Sequence, residues 1–103
     1  MMKGNPEAEF TAMGFPFIIN EIGYEWLLDK QEPAGAINVF AYGLELMPNN
    51  ASLHDSMGEA CYESKHWERS VKHYRKSLEL DPSNENAREM LAKIQAMHSE
   101  PKH

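Results

Sequence analysis

The stretch ASLHDSMGEACYESKHWERSVKHYRKSLELDPSN, residues 51–84, decides the fold. Leu53, Met57, Cys61 and Tyr62 recur at helical spacing, and beyond a break near Lys65 so do Trp67, Val71, Tyr74 and Leu78. Apolar residues three and four apart line one side of an α-helix, so the stretch predicts two amphipathic helices folded back as a hairpin. Asn50 stands where a cap precedes the first helix, and Ser83-Asn84 stand in the same place before a further one. Short polar side chains there accept from the free N–H groups of the first turn. Pro82 ends the second helix, because it lacks a donor and pushes the residue before it out of the helical region.

Sliding the sequence on itself by 34 residues brings the same pattern back upstream. Ala36-Ile37 fall on Ser70-Val71, Phe40 on Tyr74, Gly43-Leu44-Glu45-Leu46 on Ser77-Leu78-Glu79-Leu80, and Pro48 on Pro82. Ile22-Gly23 fall on Met57-Gly58 only at a shift of 35, so one residue has been gained between Gly23 and Ala36. The first helix of that unit is expected to be shifted or kinked, and Pro33 fits the first turn of its second helix, where a missing N–H costs nothing. Gly23 and Gly58 lie inside predicted helices, each at a cost of about 1 kcal/mol relative to alanine, which calls for close helix approach. Ala36 and Ser70 are the small residues expected opposite them, and nothing in the sequence accounts for Gly35.

Met57-Gly58, Tyr62, Ser70, Tyr74, Ser77, Leu78 and Pro82 resemble the tetratricopeptide repeat, with residues 16–50 as a weaker copy and residues 85–98 as a closing helix without its partner. The resemblance implies an all-α fold of about five helices: two tetratricopeptide repeats (16–50 and 51–84) and a capping helix (85–98) in a right-handed superhelical stack. Residues 1–15 form an arm before this domain of residues 16–98, and residues 99–103 a tail after it. A narrower resemblance is carried by Ile22-Gly23-Tyr24, Pro48-Asn49-Asn50 and Asp55-Ser56-Met57-Gly58-Glu59-Ala60. These strings are similar to repeat tails that follow serine beta-lactamase-like and esterase domains in some bacterial proteins. On that reading the chain is a free-standing or excised accessory module. Gly-x-Ser-x-Gly is missing from it, and Ser-x-x-Lys occurs once, from Ser99 to Lys102 in the tail after the repeats, so no hydrolase activity carries over.

The family resemblance implies a concave wall built by the first helix of each hairpin, where a protein or peptide partner would lie. The corresponding positions are Ser52, Asp55, Glu59, Tyr62 and Glu63, continued by Asn86 and Glu89 on the closing helix, with Lys93 as one opposing charge. Asp55, Glu59 and Glu63 are four apart and share one helix face, an acidic ridge whose like charges cost a few tenths of a kcal/mol per pair. In the first unit the extra residue leaves two registers open: Asn20, Tyr24 and Leu27, or Glu21, Glu25 and Asp29. Asn20 and Tyr24 are the preferred pair, and either register makes the groove net negative. A basic partner follows. The bland reading is that these carboxylates form only the solvated face of a short helical stack. Some family members clamp a C-terminal carboxylate on these helices with basic residues; Asp55, Glu59 and Met90 in that neighbourhood argue against it.

The composition fits a small interaction domain. With 42% apolar and 25% charged residues in 103, the chain has one modest core. The net charge of -6 disfavours nucleic acid and anionic membranes as partners. Phe15 to Ile19, the longest apolar run, is far short of the roughly 18–20 residues of a membrane span. The N-terminus carries no secretory pattern, so the chain as written reads as cytoplasmic, or as periplasmic if it is a piece of a larger exported protein.

Chemistry-bearing residues offer no constellation. Among five histidines, His66 and His73 are seven apart, unlike the i, i+4 pair of a zinc helix. His54 occupies a position where the family carries a packed aromatic. Cys61, the single cysteine, reads as a core thiol with no base beside it. Tyr62, Trp67 and Tyr74 read as core aromatics, with Tyr62 closest to the concave side. No cofactor, metal or catalytic group is expected, and the chain reads as a non-enzyme.

Stacked repeats must cover their two ends. At the C-terminal end Leu91 and Ile94 can pack inward while Arg88, Lys93 and Gln95 face water. At the N-terminal end Phe15, Phe17, Ile18, Ile19, Ile22 and Trp26 make a helix apolar nearly all round, a candidate edge for another domain or a second copy. Phe10 and Met13 of the arm could fold back over it. The function expected first is a non-catalytic module that binds a basic peptide or domain. The alternative is a structural or oligomerisation module that uses the apolar first helix.

Overall fold

The structure, a computed structural model, describes residues 15–98. The arm with Phe10 and Met13 and the tail 99–103 lie outside the described residues. Among the described residues five helices follow one another: α1 (Phe15–Tyr24), continued by a π-helical segment (Glu25–Asp29), then α2 (Pro33–Leu46), α3 (Ala51–Glu63), α4 (Trp67–Leu80) and α5 (Glu85–His98). Among the described residues there is no strand. Each helix packs against the next, and α1 also touches α3, the arrangement of an all-α helical repeat stack.

The local signals hold each boundary. Asn50 accepts a hydrogen bond from the Leu53 N–H at 3.0 Å, and Asn84 accepts from the Ala87 N–H at 3.1 Å. Both satisfy a donor that the helix itself leaves free. Pro33 opens α2 at its first turn. The hairpin turns repeat as well. Gln31 and Lys65, 34 residues apart, both adopt positive φ, 54° and 64°.

The extra residue of the first unit is absorbed in the π-helical segment. Lys30 N–H reaches back five residues to the Glu25 carbonyl at 3.0 Å, and Glu32 N–H reaches six, to Trp26, at 2.8 Å. In the second unit the matching turn bond from His66 N–H reaches only five, to Cys61, at 2.8 Å. A π turn takes up one residue without ending the helix, so the expected irregularity is a widened turn.

Two linked cores result. Ile19, Leu27, Ala36, Phe40, Leu53, Met57, Ala60 and Cys61 form one, under α1 to α3. Tyr74, Ala87 and Ile94 form the other, flanked by Trp67, Val71 and Leu91. Gly23 and Gly58 are placed by the aromatic residues of the following helix. Phe40 occupies the space a Cβ on Gly23 would need, and a Cβ on Gly58 would stand 2.9 Å from Tyr74 Cδ1. Ser70 still meets Gly58, donating to its carbonyl at 2.7 Å, but ring packing rather than the small pair Ala36 and Ser70 sets the approach. Gly35 now has its reason: a Cβ there would lie 2.5 Å from Trp26 Cε3. At the closing end Ile94 is buried while Arg88, Lys93 and Gln95 are exposed. Leu91 is half-buried.

Candidate functional site

The first helices of successive hairpins, α1, α3 and α5, carry a row of polar side chains bonded across the helix gaps. Asn20 on α1 donates to Ser52 Oγ at 2.9 Å and accepts from Ser56 Oγ at 2.5 Å. One turn on, Tyr24 donates its hydroxyl to Glu59 Oε1 at 2.9 Å. Between α3 and α5, Asn86 donates to both oxygens of Asp55, at 3.0 and 3.3 Å. Asn20 and Tyr24 thus meet the α3 residues, whereas Glu21, Glu25 and Asp29 stand exposed. Six of the nine residues the sequence singles out (Asn20, Tyr24, Ser52, Asp55, Glu59 and Asn86) lie in this row. The periodicity gives no sign of Ser56, which also joins it.

The other three take no part in its hydrogen bonds. Tyr62 packs edge-on to Trp67, with ring centroids 5.3 Å apart, and its hydroxyl reaches Met97 Sδ at 3.9 Å. Lys93 Nζ lies 5.4 Å from the centre of the Tyr62 ring, so its charge is directed at an aromatic face. Glu63 and Glu89 are exposed.

The row is electrostatically loaded. Burial raises the pKa of Asp55, against the lowering effect of the Asn86 hydrogen bond. Burial also raises that of Glu59, and the negative charges of Asp55 and Glu63 add to it while the Tyr24 hydroxyl counteracts. Among the described residues the single ion pair is Lys76–Glu79, 3.3 Å, on α4. No cation is paired with Asp55 or Glu59 there. The Tyr74 hydroxyl, fully buried, finds no hydrogen-bond partner among the described residues. Burial raises its pKa, and Asp55 and Glu59 push it further, which places it within their field.

Away from this row, His54 and His73 stack with ring centroids 5.3 Å apart and share an Nδ1···Nδ1 contact of 3.1 Å. His54 Nε2 donates to the Pro48 carbonyl at 2.7 Å. His54 is therefore a packed residue, as its position suggests. Cys61 is fully buried, and burial raises its pKa, which suits an unreactive thiol. Among the described residues no three His, Cys, Asp or Glu side chains are grouped as a metal site would need.

The hairpin α3–α4, with its Met-Gly pair, its ring against that glycine and its closing Asp-Pro, decides the comparison with known families. Residues 51–84 match the tetratricopeptide repeat. No curated protein matches the chain. Tetratricopeptide repeats typically bind proteins or peptides and are generally non-catalytic, and the five-helix stack around the matched hairpin is the architecture such repeats build. None of the described helices is long and apolar enough to cross a membrane.

The expected N-terminal edge divides in two. Ile19 is 5% exposed, its side chain beneath Gly43 and beside Leu53, and Trp26 lies on Gly35, so both face inward. Ile18 is half-buried, and the side chain of Phe15 lies outside the described residues. Phe17, Ile22 and Leu28 form the outward part. Leu28, which is not among the edge residues expected from the sequence, stands eleven residues after Phe17, a spacing that regular helical phase returns to within about 20° of the same face, and that periodicity is the signal for it.

Proposed function

We propose that the chain is a non-catalytic protein-binding module whose concave row, centred on Asp55 and Glu59, holds a basic peptide or domain. The observation that carries this reading is the pair of half-buried carboxylates with raised pKa and no paired cation among the described residues. A lysine or arginine of the partner would complete them, and charge-assisted hydrogen bonds of that kind are about twice as strong as neutral ones. Asn20, Tyr24, Ser52 and Asn86 hold the flanking geometry, and Tyr62, Glu63 and Glu89 extend the surface toward α5.

Titration calorimetry with a lysine- and arginine-rich peptide tests the reading, with an acidic peptide of equal length as control. Binding that weakens with salt and is lost in Asp55→Asn/Glu59→Gln is expected. Equal binding by that variant, or no binding of the basic peptide, would sink it. A second, structural reading is favoured by the exposure of Phe17 and Leu28, 66% and 60%, on the outer side of the first unit. Apolar side chains exposed to that degree on one face suit contact with another folded surface.

A further inference from the structure

We propose that the outer face of α1 and its π-helical continuation, carrying Phe17, Glu21 and Leu28, docks into the groove between α4 and α5 of a second copy of this chain. The proposal rests on the structural reading above and adds the surface that receives the helix.

The groove measures about 1200 Å³, and its floor is Trp67, Val71 and Leu91. That is roughly the volume of a helix of ten residues, 15 Å long and 10 Å across; α1 is ten residues long. Its rim carries three cations, Lys72, Arg75 and Lys76, against two carboxylates, Glu68 and Glu79; Lys76 pairs with Glu79, while Lys72 and Arg75 stand exposed and make no ion pair among the described residues, so the rim is net positive. The repeat itself puts a helix in this place: α4 lies along α3, and the α5 residues 34 further on than Met57 and Gly58 are Leu91 and Ala92, again apolar and small. Arg88 and Gln95 replace His54 and Cys61 at the same shift, so this seat is wetter than the one α4 fills and suits a reversible contact.

The inserting face is complementary in both respects. Phe17, Ile22 and Leu28 are exposed, and from Phe15 to Asp29 the charged residues are Glu21, Glu25 and Asp29, with no cation among them. Two chains of net charge -6 repel at a distance. Acidic helix against basic rim is therefore the orientation in which a second copy approaches with attraction. Because face and groove are different surfaces, each copy keeps one of each free, and association is head-to-tail and open-ended.

Sedimentation velocity on the full chain across a concentration series tests this. Wild type is expected to run from its 11.8 kDa monomer through a series of larger sizes, shortened by salt. Phe17→Asp/Leu28→Asp and Lys72→Glu/Arg75→Glu alter exposed side chains, and circular dichroism checks that both variants stay helical. Each alone should remain monomeric, and their equimolar mixture should give one heterodimer that grows no further. Three results overturn the proposal. One is a wild type that stays monomeric; another is a mixture that does. The third is a groove variant that still self-associates while the α1 variant does not, which would leave the edge reading standing without the groove.

Discussion

The Tyr74 ring lies where a side chain on Gly58 would begin, its Cδ1 2.9 Å from the position of a Cβ there. Tyr74 is fully buried and pinned between α3 and α5, so the ring cannot yield. Alanine at Gly58 gains about 1 kcal/mol of helix propensity, yet overpacking costs about 1–3 kcal/mol. Gly58→Ala should therefore lower stability, by up to about 2 kcal/mol on those figures, and Gly23→Ala against Phe40 should do the same. Urea unfolding of both variants checks this, and a stabilised Gly58→Ala would show that the ring has room.

The second hairpin was readable almost whole, because its caps, its apolar spacing and Pro82 all agree on the same boundaries. Ring-on-glycine contact at Gly58 was readable only as a close approach, since spacing shows that a small residue is needed and not what fills the space. The acidic row is legible in α3, where regular helical phase places Asp55 and Glu59 together. It is less so in α1, where two registers compete until Tyr24 is seen to donate to Glu59. The sequence puts Ile19 and Trp26 at the edge because α1 is apolar all round, and apolarity alone does not say which side the neighbour takes. The His54–His73 contact joins two helices across 19 residues, beyond the reach of any periodicity within one helix.

Tyr24→Phe removes the hydroxyl that Glu59 accepts. A net loss of about 0.5–1.5 kcal/mol is expected for such a bond. The hydrogen bond lowers the pKa of Glu59 against burial, so its removal should raise that pKa further. A carboxylate whose folded pKa lies above its unfolded one lowers stability at neutral pH, and that cost disappears as pH falls through the folded pKa toward the ordinary value of 4.5. The deficit of Tyr24→Phe should accordingly be larger at neutral pH than near 4.5. Carboxyl NMR titration of Glu59 with paired thermal melts measures both, and an unmoved Glu59 would refute the coupling.

His73 carries the opposite dependence. Burial, then the neighbouring His54, Lys72 and Arg69, lower its pKa from 6.5 to about 4. The unfolded chain takes up the proton first, so stability is full above 6.5 and falls as pH drops from 6.5 toward 4. His54 Nε2 donates to Pro48, which leaves its Nδ1 to accept from His73 Nδ1–H when both rings are neutral. His73→Asn can supply a donor at that position without titrating. After allowance for solvent at a half-exposed ring, the wild type should lose on the order of 1–2 kcal/mol more than the variant across this interval. Thermal unfolding as a function of pH decides it, with parallel curves for the two proteins as the contrary result.

The π-helical segment makes a prediction about length rather than side chains. Gly23 matches Gly58 at 35 residues while Gln31 matches Lys65 at 34, so the first unit holds one residue more than the second across Glu25–Asp29. Leu28 is the exposed apolar residue of that segment, and deleting it aligns Leu27 with Tyr62 and Asp29 with Glu63. The shortened turn can close with α-helical bonds, which recovers hydrogen-bond geometry that a π turn gives up. Deleting Leu28 should therefore leave stability within about 1 kcal/mol of wild type, in the range of tolerated surface changes. Deletion of Glu59 has no such slack, because α3 is regular and every later residue would turn by about 100°, carrying Cys61 out of the core. Urea unfolding of the two deletion variants compares them directly. If both unfold alike, the π turn is not where the extra residue resides.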